Sequence, residues 1–168
     1  MRKQDTMQAL TATAPTDFDF IIGDWDVNHR RLNSRLTGCT DWTEFRGTSS
    51  TQKILGGFGN VEDNILYFPD AEVRAAAFRS FDPQTQQWAI WWLDGRAPHN
   101  LDVPVIGSFT GSIGTFYARE TLDGKPIKIR FTWQINTGEN PTWAQAFSDT
   151  DGAIWETNWV MEFTRKKS

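Results

Sequence analysis

From residue 20 onward the apolar residues of this chain mostly alternate with polar ones, and turn signals keep interrupting the alternation. That rhythm constrains the fold more than any other feature. An apolar residue at every second position gives a strand one dry and one wet face, whereas a helix repeats every ~3.6 residues. Extended segments read over residues 25–32, 41–54, 61–68, 73–81, 87–94, 103–109, 114–121, 125–135, 143–148 and 154–164. Asp82-Pro83-Gln84-Thr85 is a tight turn, with proline presetting the backbone after an aspartate that bonds back to it. Asp123-Gly124 between extended runs is a hairpin signal, because both positions tolerate positive φ. Asp149-Thr150-Asp151-Gly152 marks another hairpin, and residues 56–60 read as a flexible glycine-rich connection. A short helical turn is expected at Phe18–Ile22, and no longer helix.

About ten strands joined by local turns imply an all-β antiparallel barrel or sandwich. A closed barrel is the better expectation, because it leaves no bare edge to aggregate. With 168 residues there is room for one core. Residues 1–17 are set apart as a flexible N-terminal segment, and 18–168 form the single barrel domain.

Charge and cysteine content exclude several classes. Seventeen basic against 21 acidic residues leave a net charge of −4, which does not suit a nucleic-acid binder. The basic runs His29-Arg30-Arg31 and Arg165-Lys166-Lys167 read as solvated strand ends and tail. Cys39 is the only cysteine, so no internal disulfide forms, and it has no activating base beside it in sequence. The longest apolar run, Trp88–Leu93, is too short to span a bilayer, and residues 1–16 lack the apolar core of a secretory signal. A cytoplasmic protein, binding neither membrane nor nucleic acid, is expected.

Nine tryptophans and twelve phenylalanines exceed what packing alone demands. A barrel of this size holds its own side chains or one small ligand, so where the indoles point decides its use. In the run QWAIWWLDGRAPH, residues 87–99, period two puts Trp88, Ile90, Trp92 and Asp94 on one face and Trp91 on the other. The face away from the lumen needs cover from a loop, the N-terminal segment or a second copy, so a homodimer is an expectation.

The stretch FDFIIGDW, residues 18–25, places Gly-x-Trp after a short helical turn. It resembles the opening of lipocalin-like, calycin-type barrels. More closely, the chain resembles a large bacterial family of lipocalin-like proteins, a mostly uncharacterised domain of unknown function. The resemblance also rests on Ile54–Gly57, Phe81–Pro83 with Trp88, Trp91–Arg96, Gln145–Gly152 and Trp155–Met161, and spans residues 18–165. It implies a lipocalin-like barrel in which Arg165 lies across Trp25 at the closed end, and it implies no catalytic residues.

The candidate site follows from facing. If Trp25 and Val27 look inward, so does His29, and an inward polar group needs a partner. Glu44 on the next segment is the expected cross-strand neighbour, giving a proton-transfer couple or a ligand clamp. Asp94, Arg96 and His99 leave the barrel as a loop at its mouth. Arg79, Arg130, Gln145 and Asn158 are further inward polar candidates, and inward arginines would suit a carboxylate or phosphate. Trp42, Trp88, Trp92, Phe131 and Trp133 are the expected walls. Asp149, Asp151 and Glu156 fall short of a calcium loop, and two histidines without a cysteine cluster do not make a zinc site. Neither metal nor cofactor is expected.

The leading expectation is a barrel binding a small hydrophobic or aromatic molecule, with His29, Glu44 and Asp94 as polar anchors. One alternative is a cofactor-independent isomerase, cyclase or hydratase using the same groups. Another is a structural, dimerising module whose lumen is filled.

Overall fold

The computed structural model describes residues 12–167, and in them the alternation closes into a ten-stranded antiparallel barrel. The strands are β1 (Gly23–Leu32), β2 (Trp42–Ile54), β3 (Gly59–Phe68), β4 (Ala71–Asp82), β5 (Gln87–Asp94), β6 (Val105–Thr110), β7 (Ile113–Leu122), β8 (Lys125–Gln134), β9 (Thr142–Ser148) and β10 (Glu156–Arg165). Each pairs with its neighbours in the chain, and β1 pairs with β10 to complete the ring.

The turns follow their chemistry. Asp123 and Gly124 take φ of 50° and 80°, as a two-residue hairpin with the right twist requires. At the β9–β10 connection Ser148 Oγ accepts from the amides of Thr150 and Gly152, and Asp151 and Gly152 both take positive φ. Two expectations change. The glycine-rich connection is a single 3-10 turn, Leu55–Gly57, and Gly59 and Asn60 already belong to β3. β6 starts at Val105 instead of residue 103, because Pro104 has no amide to give a ladder; Leu101 makes only an isolated bridge to Leu93.

The 3-10 turn ahead of β1 makes the two ends of the barrel unlike. One is sealed. A 3-10 turn at Asp19–Ile21 crosses it and sets Phe18 into the lumen, 2% exposed, edge-on to Trp88 and Phe109 at 4.9 and 5.0 Å. Trp25 Nε1 donates to Ile21 O at 2.9 Å, and the Arg165 guanidinium lies over the Trp25 ring at 4.2 Å. Arg165 Nη1 also donates to Ile22 O at 3.0 Å, so one residue of β10 holds the sealing turn. Of the N-terminal segment 1–17, residues 1–11 lie outside the described residues; Asp17 is tied to the barrel by accepting from Trp88 Nε1 at 2.9 Å. No helix among the described residues is long and apolar enough to cross a membrane.

Candidate functional site

Inside the barrel the lumen changes character from the sealed end upward. Its floor is polar. Asn60 and Glu62 on β3 and Arg79 on β4 are all buried, and register places Asn60 opposite Arg79. Arg79 Nη1 donates to Asn60 Oδ1 at 2.7 Å, Nη2 pairs with Glu62, and the guanidinium is stacked near Phe18 and Trp133 at 5.0 and 5.3 Å. A buried charge is tolerated only when paired and hydrogen-bonded, and this cluster meets that demand. Arg79 Nε and Trp133 Nε1 have no protein partner. Both residues line a void of about 20 Å³, room for one water.

Above the floor the lumen opens into a chamber of about 370 Å³. Leu66, Val73, Trp92, Phe131, Trp143 and Trp159 belong to its apolar wall. The rings brace one another edge to face: Trp92 and Trp143 meet Trp159 at 5.9 and 5.6 Å, and Phe131 meets Trp143 at 4.9 Å. Edge-to-face contacts hold aromatic planes in defined orientations, so the wall is preformed. Gln145, also in the wall, donates to Asn158 Oδ1 at 2.8 Å. Asn158 occupies a β-bulge in β10, where the register with β9 shifts between Thr157 and Trp159. The extra residue lets both Asn158 and Trp159 be buried although they are adjacent.

The mouth is charged. Arg31, Asp94, Arg96, Asn100 and Asp102 line it. Both Asp94 oxygens accept from Arg96, the closest at 2.7 Å, and Asp94 Oδ1 also takes the Arg96 amide at 2.8 Å. These bonds hold the Asp94 carboxyl below the usual carboxylate range. Asp102 moves the other way, pushed up first by burial and then by the charge of Asp94. Arg31 lies over the Trp159 ring at 5.1 Å. Burial, with the nearby charges of Arg35 and Arg96, lowers its pKa to about 10, so it stays cationic at neutral pH.

The expected site residues separate into three groups. Trp92, Phe131 and Asp94 line the chamber or its mouth. Trp88, Trp133 and Arg79 are inward but belong to the packed floor. Trp42, Glu44 and Arg130 are corrections. Trp42 lies on the outer face beneath Arg30, 4.9 Å away, and Arg130 lies outside over Trp155 at 4.4 Å. Glu44 does not meet His29. Register sets Phe45 opposite His29, and Glu44 opposite Arg30, with which it pairs at 3.3 Å in solvent. One residue of register exchanges the two faces, and that one residue separates expectation from structure.

His29 is inward, 3% exposed, but is part of the wall's backing. Its ring stacks on Phe45 at 4.6 Å, and Nδ1 accepts from Trp159 Nε1 at 3.1 Å. Burial lowers its pKa to about 3, so the imidazole is neutral. His99 is exposed in the β5–β6 loop and does not line the chamber. The acidic trio near the β9–β10 turn is dispersed: Asp151 pairs with Arg119 and Lys128, and Glu156 Oε1 accepts from the Leu36 amide.

Sequence reasoning missed Arg31, Trp143 and Trp159. Arg31 shares the parity of Trp25, Val27 and His29, so its facing was available from the same alternation. Trp159 likewise shares parity with the buried Met161 and Phe163. On the outside, Trp91 is half-buried opposite Phe78, while Ile106 and Tyr117 are 46% and 49% exposed.

Comparison with protein-family models and with curated proteins returns no match, so geometry and chemistry alone carry the functional reading.

Proposed function

We propose that this chain is a lipocalin-like binding protein that holds one small, largely apolar or aromatic molecule inside its barrel. The observation that carries the reading is the chamber of about 370 Å³, walled by Trp92, Phe131, Trp143 and Trp159 and entered past Arg31 and Asp94. Small-molecule sites are concave and mostly apolar with a few polar groups, and span about 300–1,000 Å³. This chamber falls at the lower end, which favours a compact ring-bearing ligand over a long chain. Gly23, Trp25 and the Arg165 stack support the lipocalin-like assignment. The lone thiol, Cys39, suits a cytoplasmic protein.

An enzymatic reading has less support. A general base must reach the reacting group within hydrogen-bond range. His29 is engaged by Trp159 and kept neutral, and Asp94 is saturated by Arg96. Tryptophan fluorescence against a panel of one- and two-ring compounds tests binding, with native mass spectrometry of freshly purified protein as a companion. Quenching or a spectral shift that saturates at one equivalent is the expected result. No response across the panel, with iodide failing to reach Trp92, overturns the proposal.

A further inference from the structure

Arg31 occupies the last inward position of β1, directly opposite Trp159 on β10. The cross-strand contact holds the guanidinium carbon 5.1 Å from the centre of the Trp159 ring at the chamber entrance. Five arginines of this barrel have a carboxylate: Arg30 with Glu44, Arg74 with Glu72, Arg79 with Glu62, Arg96 with Asp94 and Arg119 with Asp151. Among the described residues Arg31 makes no ion pair and donates no side-chain hydrogen bond. The nearest acid at the entrance, Asp94, already spends both oxygens on Arg96.

Arg31 also joins two spaces. On one side is the apolar chamber; on the other is a shallow cleft whose wall includes Arg35, Asn33 and Thr43. A ligand whose body filled the chamber would therefore have its outer end at a half-buried, unpaired fork of donors, with Arg35 close behind. A guanidinium fork matches the two oxygens of a carboxylate or similar oxyanion, and stacking removes part of the entropy cost of ordering it. Asp102 also lines the entrance, on the side of Ala97 and Asn100.

We propose that the ligand is an amphipathic organic anion, with a ring-bearing apolar body against Trp92 and Trp159 and a carboxylate-type oxyanion held by Arg31. This rests on the barrel being a binding protein and specifies what it binds.

The test uses a matched probe pair, 2-naphthoate and 2-naphthamide, titrated by tryptophan fluorescence into wild type, Arg31→Met and Arg31→Lys. Methionine keeps an apolar cover on Trp159 while removing the charge; lysine keeps the charge without the fork. Circular dichroism and urea midpoints check that the variants fold. In wild type the carboxylate should bind about tenfold tighter than the amide, and the preference should shrink with added salt. Arg31→Met should abolish the preference, weakening naphthoate about tenfold more than naphthamide, and Arg31→Lys should fall between. Equal affinity for the two probes in wild type, or a preference that survives in Arg31→Met, overturns the inference while leaving the binding reading intact. If neither probe binds wild type, this inference falls, and the binding reading is decided by the wider panel and the iodide test above.

Discussion

The indole N–H of Trp159 donates to Nδ1 of His29 at 3.1 Å, joining β10 to β1 inside the barrel. The bond makes Nδ1 an acceptor, so the imidazole is neutral with its proton on Nε2. It also anchors one chamber wall to an uncharged group.

A pH dependence follows. The His29 pKa falls from an ordinary 6.5 to about 3 in the folded protein, because burial disfavours the cation. An unfolded chain therefore takes up a proton below pH 6.5 that the folded chain refuses. The His29 contribution to stability is complete above 6.5, declines as pH falls, and levels off below about 3. The steepest slope is one proton, ~1.4 kcal/mol per pH unit. Urea unfolding between pH 8 and pH 4 should show this slope, and it should disappear in His29→Phe. A wild-type and variant pair with parallel pH profiles would contradict it.

The floor pair makes an asymmetric prediction. Removing one partner leaves a buried charge unpaired, whereas replacing both with apolar groups of similar size does not. Glu62→Gln should destabilise by roughly 3–5 kcal/mol, and Glu62→Leu with Arg79→Met together should cost much less. Chemical denaturation of wild type and the two variants measures this directly, and a double variant as unstable as Glu62→Gln would refute it.

At the sealed end, Arg165→Ala removes both the stack on Trp25 and the bonds to the carbonyls of Ile22 and Phe20. A loss of about 1–2 kcal/mol is expected, with little change in ligand affinity, because the chamber is at the other end. Gly23→Ala should be worse than a typical surface change. Its φ is 120°, and a Cβ there would sit 2.6 Å from Arg165 Nη1. Thermal melts of both variants check the ranking.

Gly107 on β6 should tolerate no side chain. A Cβ there would lie 1.9 Å from Thr115 O on the paired strand β7, a backbone atom that cannot swing away. Gly107→Ala should open the β6–β7 ladder next to the short β5–β6 pairing and cost several kcal/mol, read as lost soluble expression or a lowered melting temperature. A variant that melts with wild type would show that β6 shifts freely.

The fold could be read in the sequence because strand alternation and turn chemistry are local properties. Asp123-Gly124 announces its hairpin regardless of what lies elsewhere. The site was only partly legible, because it depends on register across strands. Nothing in the nine residues between β1 and β2, Asn33–Asp41, dictates whether Phe45 or Glu44 faces His29. Trp42 was misplaced for the same reason. The bulge at Asn158 shifts parity within β10, yet Trp159 still falls in step with Met161 and Phe163. Arg31 had the right parity, but a basic residue at a strand end reads as solvated unless the absence of any partner is visible, and that requires coordinates.

Only one ladder of this barrel, β1 with β10, joins distant parts of the chain; every other joins immediate neighbours. Arg165 over Trp25, Arg31 over Trp159 and the Trp159–His29 bond all cross that single seam. The ladders of the first nine strands need only their sequence neighbours, whereas closing the ring needs β10, the last strand in the chain. Pairing of β10 with β1 therefore brings together the latch at the base, the Trp159 side of the indole cage and the entrance guanidinium. A chain clipped before β10 would thus lose all three contacts together, and with them the closed ring.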